Sequence, residues 1–107
     1  MRQPRVELLS FAGCPNVEPT RSLVERVAAE LRVTPTIELI DVSDESAAAA
    51  LRFLGSPTVR VDGRDVEPGA DERRDFAVAC RVYRTQEGLV GQPAEAWIRH
   101  ALARSAR

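Results

Sequence analysis

The spacing of apolar residues changes along the chain and predicts alternating strands and helices. Residues 5–11 are almost continuously apolar, with polar side chains only near the ends, which is typical of a strand in the middle of a sheet. Residues 17–32 place apolar side chains at helical spacing and charged side chains on the other face. Residues 36–42 are rich in β-branched residues and predict a second strand. The chain is therefore expected to open with a β-α-β unit.

Two further helices are predicted from capping and helix-breaking residues. Residues 44–54 combine an acidic first turn with a run of alanines, and Ser43 precedes them as a candidate N-cap. Gly55 is expected to end this helix, because glycine readily adopts the left-handed conformation that follows many helices. A final helix over 93–104 has its large apolar residues on one side.

The region between these two helices predicts a β-hairpin and then a less regular stretch. Residues 58–61 form a short strand closed by Asp-Gly at 62–63, which is among the strongest hairpin signals. Residues 64–79 mix loop signals with a stretch, 71–78, that is compatible with one or two helical turns. Residues 80–84 alternate like a strand.

Composition and charge narrow the class of protein. A chain of 107 residues that is 44% hydrophobic can bury one core, and no linker divides it, so residues 1–107 are expected to form one domain. The 15 basic residues, all arginine, and the 16 acidic residues are scattered along the chain. This distribution predicts no nucleic-acid-binding surface and no membrane-binding surface. The first apolar segment is too short for a signal peptide or a membrane span, so we expect a cytoplasmic protein.

Cys14 lies where the first strand ends and the first helix begins, and it is the candidate reactive residue. A helix N-terminus carries unpaired N–H groups and a partial positive charge, which favour a thiolate over a thiol. Asn16 is the expected N-cap of this helix, and Pro19 is tolerated in its first turn. The alternative is that Cys14 is a small buried hydrophobic residue, as many free cysteines are.

Cys80, His100, Tyr83 and Trp97 are not expected to take part in catalysis, although Cys80 has an alternative role. Cys80 opens an apolar strand and is expected to be buried, with a role as a resolving thiol as the alternative. Two cysteines far apart in sequence match neither a disulfide scaffold nor a zinc knuckle. His100 is expected to face solvent, and Tyr83 and Trp97 are expected to pack in or beside the core.

Acidic residues cluster around and after the predicted hairpin turn. Their spacing matches no calcium-loop pattern, and they alternate with arginine, so no metal site is predicted. The residues expected to be solvated loop charges are Asp62, Asp65, Glu67, Asp71, Glu72 and Asp75.

The chain contains a β-α-β unit with a cysteine at its first strand-helix turn, then a helix, a Ser-Pro-Thr sequence that opens a hairpin, and a last helix. This order of elements resembles the thioredoxin-like fold across nearly the whole chain. The resemblance implies an α/β fold in which a mixed β-sheet is sandwiched by helices, in the order β-α-β then α-β-β-α. It also implies that Cys14 is the nucleophile and that the peptide bond before Pro57 is cis and faces it. Val17 replaces the second cysteine of the family's C-x-x-C motif, which excludes a dithiol cycle within the motif.

Shorter stretches resemble narrower groups. The Cys-Pro pair at 14–15 looks like the start of the glutaredoxin motif. Residues 57–65 and 80–85 resemble small bacterial proteins labelled thioredoxin-like or alkylmercury-lyase-like.

These resemblances imply a thiol-based redox protein. Cys14 would attack or exchange with a disulfide of a protein or small molecule, a glutathione adduct or a peroxide-derived species, and an outside thiol or Cys80 would resolve the product. The implied substrate groove consists of Pro15, Asn16, Ser56, Pro57 and Thr58. No cofactor and no metal are implied, and neither the substrate nor the oligomeric state is indicated. Two alternatives remain open, namely a non-catalytic binding module that keeps the fold and capture of a soft metal such as mercury by two thiolates.

Whether Cys80 can reach Cys14 depends on where the return strand of the hairpin lies. If Cys80 opens that return strand, it starts at the end of the hairpin far from Cys14, about 13 Å away along a four-residue strand. If residues 64–66 form the return strand, the chain comes back to the Cys14 end before the long loop, and the cysteines can lie close. The residue pattern allows both arrangements.

Overall fold

The computed structural model describes residues 3–106, and this part of the chain contains three helices, a four-stranded sheet and a two-stranded sheet. In chain order the elements are β1 Arg5–Ser10, α1 Val17–Leu31, β2 Thr36–Asp41, α2 Glu45–Leu51, β3 Thr58–Val61, β4 Arg64–Asp65, β5 Tyr83–Thr85, β6 Gly88–Val90 and α3 Glu95–Ser105. The mixed α/β class and the opening β-α-β unit are thus confirmed. None of the helices within residues 3–106 combines the length and the apolar character needed to cross a membrane.

The four-stranded sheet has the order β2-β1-β3-β4 and mixes parallel and antiparallel pairs. β1 pairs in parallel with β2 and antiparallel with β3, while β4 pairs antiparallel with β3 at the edge. The parallel pair needs a crossover connection, and α1 supplies it. Leu9, near the end of β1, lies opposite Thr58, the first residue of β3. The turn that follows β1 and the segment that precedes β3 therefore meet at one edge of the sheet.

Apolar side chains on both faces of β1 place helices on both faces of the sheet. Val6 and Leu8 belong to a buried cluster that includes residues of α1 and α3. Leu9 projects to the other face and packs with Phe53 and with Ala48 of α2. The predicted mixed sheet with helices on both sides is present, and burial on two faces explains why β1 is almost continuously apolar.

The predicted β-hairpin is confirmed, and its turn is tight. Asp62 and Gly63 are the two turn residues, with φ angles of 52° and 86°. A type I′ turn requires positive φ at both positions, and Asp-Gly satisfies this requirement. The return strand β4 follows directly, and Val66 N–H still donates to the Val59 carbonyl at 3.1 Å. This is the second of the two arrangements considered above, in which Cys80 can lie close to Cys14.

Helix α2 begins one residue later and ends earlier than its capping residues predict. Asp44 rather than Ser43 is the N-cap, and Asp44 Oδ1 accepts a hydrogen bond of 2.7 Å from Ala47 N–H. The helix is followed by Arg52 in the left-handed conformation, with φ of 54°, so Gly55 does not end it. The predicted helix over 44–54 is therefore too long at its C-terminal end.

A contact with the sheet explains the early end of α2. Arg60 of β3 donates hydrogen bonds of 2.7 and 3.0 Å to the carbonyls of Leu51 and Arg52, which would otherwise be unpaired. Beyond this point Phe53 and Leu54 turn into the core. Burial of two large apolar side chains outweighs continuation of the helix.

The long segment between β4 and β5 is mostly irregular. The stretch 71–78, whose sequence is compatible with one or two helical turns, takes part in a single 3₁₀ turn, Ala70–Glu72. The strand predicted over 80–84 begins later, as β5, and pairs with β6 in a separate hairpin. Cys80 makes an isolated β-bridge to Ser56 instead.

Helices α1 and α3 are joined at the surface by four charged side chains. Arg26 bonds to Glu30 at 3.1 Å and to Glu95 at 2.7 Å. Arg99 bonds to the same two carboxylates, at 2.5 Å to Glu30 and 2.7 Å to Glu95. Hydrogen bonds from Arg26 and then Arg99 lower the pKa of Glu95 to about 2. Because these groups are partly exposed to water, added salt should weaken the network.

Replacing Glu95 with Gln should make stability less dependent on pH in the acidic range. The pKa of a glutamate is about 4.3 in the unfolded chain, so the lower pKa of Glu95 stabilises the fold above that pH. This contribution is lost as the pH falls from about 5 toward about 2. The slope of the free energy of unfolding against pH, from urea titrations, should be shallower in Glu95→Gln over this window.

Glu87→Gln is the matched control, because Glu87 is an exposed loop carboxylate that makes no ion pair within residues 3–106. It should keep the wild-type slope. An equal change in both variants would contradict a specific contribution from the α1–α3 network.

Candidate functional site

Cys14 lies in the turn that connects β1 to α1. Its N–H donates to the Phe11 carbonyl at 3.3 Å, and its carbonyl accepts from Val17 N–H at 3.4 Å. These bonds close two consecutive turns and place Cys14 two residues before Asn16, the N-cap of α1. Cys14 is buried, with 9% of its surface exposed. The predicted position of Cys14 at the first strand-helix junction is confirmed.

Asn16 occupies the predicted N-cap position, but its side chain does not cap the helix. It lies against Gly91, in the connection between β6 and α3. A Cβ atom at Gly91 would come within 2.3 Å of Asn16 Nδ2, so glycine is needed here to leave room for the amide. The first turn of α1 is therefore left without a side-chain cap, and Pro19 in that turn has no N–H.

Ser56 and Pro57 precede β3 and lie beside the Cys14 turn. The peptide bond between them is cis, as the family resemblance implies. Ser56 Oγ accepts a hydrogen bond of 3.4 Å from Phe11 N–H, in the turn that leads to Cys14. The start of β3 is thus bonded directly to the cysteine turn.

Three of the five predicted groove residues are buried: Ser56, Pro57 and Thr58. The Thr58 hydroxyl donates to the Gly55 carbonyl at 2.6 Å, so it is already used within the protein. Pro15 is exposed and Asn16 is half-buried. Within the predicted groove set, these two residues present the surface that a substrate could touch.

Cys80 is held next to Ser56 by two backbone hydrogen bonds. Ser56 N–H donates to the Ala79 carbonyl at 2.8 Å, and Arg81 N–H donates to the Ser56 carbonyl at 2.9 Å. Cys80 is exposed, so the prediction that it is buried is wrong. The segment alternates as predicted, but Arg81 and Tyr83 take the inward positions.

Ser56 therefore lies between the two segments that carry the cysteines. Its hydroxyl contacts Phe11 of the Cys14 turn, and its backbone pairs with Cys80. Partners in a β-bridge project their side chains to the same face, so Cys80 projects to the face on which the Ser56 hydroxyl lies. Both cysteines are free thiols.

A buried ion cluster centres on Arg81, to which the sequence pattern assigned no role. Arg81 is 2% exposed, and its guanidinium bonds to Asp65 at 2.7 and 3.1 Å. It also bonds to Glu67 at 2.7 Å and to Thr58 Oγ1 at 2.9 Å, and it lies 4.4 Å above the centre of the Tyr83 ring. The prediction that Asp65 and Glu67 are solvated loop charges is therefore wrong.

Burial and ion pairing have opposite effects on the pKa of Arg81. Burial alone would lower the pKa of its guanidinium, but hydrogen bonds to Asp65 and the nearby negative charge raise that pKa above its ordinary value. Burial raises the pKa of the Tyr83 phenol, whose hydroxyl donates a hydrogen bond of 2.5 Å to the Pro57 carbonyl. Arg81 therefore stays charged and Tyr83 stays neutral near pH 7, so the cluster is a permanent part of the fold.

A groove of about 1110 Å³ opens beside Asn16, between the β5–β6 hairpin and α3. Leu23 and Trp97 provide apolar surface, while Arg84 and the exposed His100 provide polar surface. Because Asn16 is both a wall of this groove and a neighbour of the cysteine turn, the groove extends the accessible surface of the candidate site.

Metal-ligating side chains do not gather around the thiols in the part of the chain that the structure describes. Within residues 3–106, no group of three or more histidine, cysteine, aspartate or glutamate side chains is placed to hold a metal ion. The groups at the site that can perform nucleophilic or redox chemistry are the thiols of Cys14 and Cys80.

No protein-family model matches the chain, and no curated protein matches it in sequence. The function is therefore inferred from its own residues. The relevant facts are the position of Cys14, the contacts of Ser56 and the exposure of Cys80.

Replacing Gly91 with Ala should displace the Asn16 side chain and destabilise the fold. The added methyl group would lie 2.3 Å from Asn16 Nδ2 and 2.8 Å from Asn16 Cγ, and overpacking of this kind costs about 1 kcal/mol or more. In an Asn16→Ala background the amide is gone, so Gly91→Ala should cost much less. Urea unfolding of the wild type, both single variants and the double variant measures this coupling. Additive effects, with a coupling below about 0.5 kcal/mol, would show that the contact is unimportant.

Proposed function

We propose that this protein is a thioredoxin-like thiol protein that exchanges disulfides at Cys14. The strand order β2-β1-β3-β4, with one parallel and two antiparallel pairs, supports a thioredoxin-like topology. A cysteine at the first strand-helix turn, with Ser56 and Pro57 beside it, supports the resemblance stated from the sequence. The β5–β6 hairpin between β4 and α3 is an addition to the order of elements that the resemblance implies.

The observation that carries the proposal is the position of Ser56 between the two cysteine segments. Val17 stands where the family motif has its second cysteine, so any internal partner for Cys14 must come from elsewhere in the fold. Cys80 is the other cysteine of the chain, and it is paired with the residue that bonds to the Cys14 turn. Its exposure leaves its sulfur accessible to reaction.

The proposed exchange has two steps. The Cys14 thiolate attacks one sulfur of a substrate disulfide, a mixed disulfide forms, and the other substrate sulfur leaves as a thiolate that takes a proton from water. The Cys80 thiolate then attacks the Cys14 sulfur, which forms the Cys14–Cys80 disulfide and releases the second substrate thiolate. The substrate gains two electrons and the cysteine pair loses two. An external thiol reductant returns the pair to its reduced state.

The surroundings of Cys14 limit access to its sulfur and provide a surface on which a substrate can dock. Cys14 lies two residues before the N-cap Asn16, whose side chain makes no capping hydrogen bond to the first turn of α1. The burial of Cys14 slows its reaction with small reagents and favours a substrate that docks against the turn. Pro15 and Asn16, together with the groove beside Asn16, provide the surface for docking.

Reaction with the aromatic disulfide dithiobis-nitrobenzoate tests the proposal. The wild-type chain should release two thionitrobenzoate ions and end with an internal Cys14–Cys80 disulfide. Cys80→Ser should release one ion and retain an adduct on Cys14, because no second thiol can displace it. Cys14→Ser should release one ion from Cys80. Absorbance counts the ions, and mass spectrometry of peptides locates the disulfide or adduct.

The two cysteine variants act as controls for each other. A wild-type product with one adduct on each cysteine would contradict an exchanging pair. A Cys14 that stays unmodified in folded Cys80→Ser would favour the non-catalytic binding module instead.

A further inference from the structure

We propose that Arg81 is a positioning residue that holds Cys80 where it can react with the Cys14 sulfur. The inference rests on the proposed function, because it concerns the second step of the exchange. It assigns a role to a buried charge cluster that the chemistry of Cys14 alone does not require.

The segment that carries Cys80 has little regular structure of its own. Residues 66–82 contain one 3₁₀ turn and no strand of either sheet. Cys80 pairs with Ser56 in an isolated β-bridge, whose hydrogen bonds are made by its neighbours Ala79 and Arg81. The preceding residues Ala77 and Val78 donate backbone hydrogen bonds to the Phe53 carbonyl and to Glu45. A flexible segment of this length would leave the Cys80 sulfur spread over a large volume.

The Arg81 guanidinium ties this segment to the main sheet. Asp65, its bidentate partner, is the last residue of β4 and pairs with Arg60 of β3. Thr58, whose hydroxyl also accepts from Arg81, pairs with Leu9 of β1. The fork of two guanidinium nitrogens on one carboxylate restrains both distance and orientation, which a single hydrogen bond does not.

Two further features bring the same segment close to Ser56 and Pro57. A Cβ atom at Gly55 would lie 2.9 Å from Arg81 Cβ and 3.1 Å from the Ala79 carbonyl oxygen, so the absence of a side chain at Gly55 permits this approach. Tyr83, two residues after Arg81, donates its hydroxyl to the Pro57 carbonyl. Arg81 and Tyr83 point inward on either side of Val82, and Cys80 is thereby directed outward beside Ser56.

A purely stabilising role would affect folding and leave the chemistry of the folded state unchanged. A positioning role affects the step in which the two sulfurs meet, even when the chain is fully folded. The second release of thionitrobenzoate reports on that step, whichever cysteine reacts with the reagent first. The first release, measured in a Cys80→Ser background, reports on Cys14 alone.

Arg81→Lys is the main test variant, because lysine keeps the charge and loses the planar fork. In folded Arg81→Lys the second release should be slower by about tenfold or more relative to wild type, since misplacing a reacting group by about 1 Å costs up to about a hundredfold. The first release in the Cys80→Ser background should change less than about twofold on adding Arg81→Lys. Arg21→Lys, the same substitution in the exposed Arg21–Glu25 ion pair on α1, should leave both releases unchanged.

Circular dichroism and urea titration establish that each variant is folded under the assay conditions. If Arg81→Lys is unfolded, Asp65→Asn is measured instead. If both variants are unfolded, Glu67→Gln is measured, because it removes one hydrogen bond at the more exposed carboxylate. A second release at the wild-type rate in the folded variant would overturn the positioning role while leaving the proposed function intact. A wild-type chain that forms no internal disulfide would overturn both.

Discussion

The burial of one charged group, the Arg81 guanidinium, constrains the arrangement of the whole site. An ion removed from water costs several kcal/mol unless partners of opposite charge and good geometry surround it. Asp65 and Glu67 supply the charge, and the Thr58 hydroxyl accepts one further hydrogen bond, while Arg81 Nε has no partner within residues 3–106. Because these partners come from the end of the β3–β4 hairpin and the loop just after it, they tie the irregular segment that follows to the sheet. Loss of Asp65 would remove the bidentate partner of a buried guanidinium.

The same constraint connects the sheet to the two thiols. The antiparallel pairing of β1 with β3 brings the Cys14 turn to the segment that precedes β3, where Ser56 bonds to it. Arg81 then holds the Cys80 segment against the other side of Ser56. In the proposed function, a motif that lacks its second cysteine is completed by a thiol from a distant part of the chain. A pair built in this way depends on tertiary packing, whereas a C-x-x-C pair depends on one helical turn.

Local chemistry made several elements of the fold predictable from the sequence. The near-continuous apolar strand β1, the Asp-Gly turn at 62–63 and the helical spacing of α1 each depend on residues within a few positions of one another. The position of Cys14 at the strand-helix junction follows directly from two of these elements. The sequence also excluded an exchange pair within the motif, because Val17 has no thiol.

Contacts between distant residues decided what the sequence could not. The period of two over 80–84 showed that side chains alternate, but it could not show which set faces inward. Arg81 is inward because Asp65 meets it there, and Cys80 is consequently exposed. Packing against Gly91 likewise draws the Asn16 amide away from capping α1. The sequence by itself therefore determined the opening β-α-β unit, the hairpin turn and the location of the first thiol. Tertiary structure determined the position of the second thiol, since long-range charge pairing and close packing leave no local periodic signal.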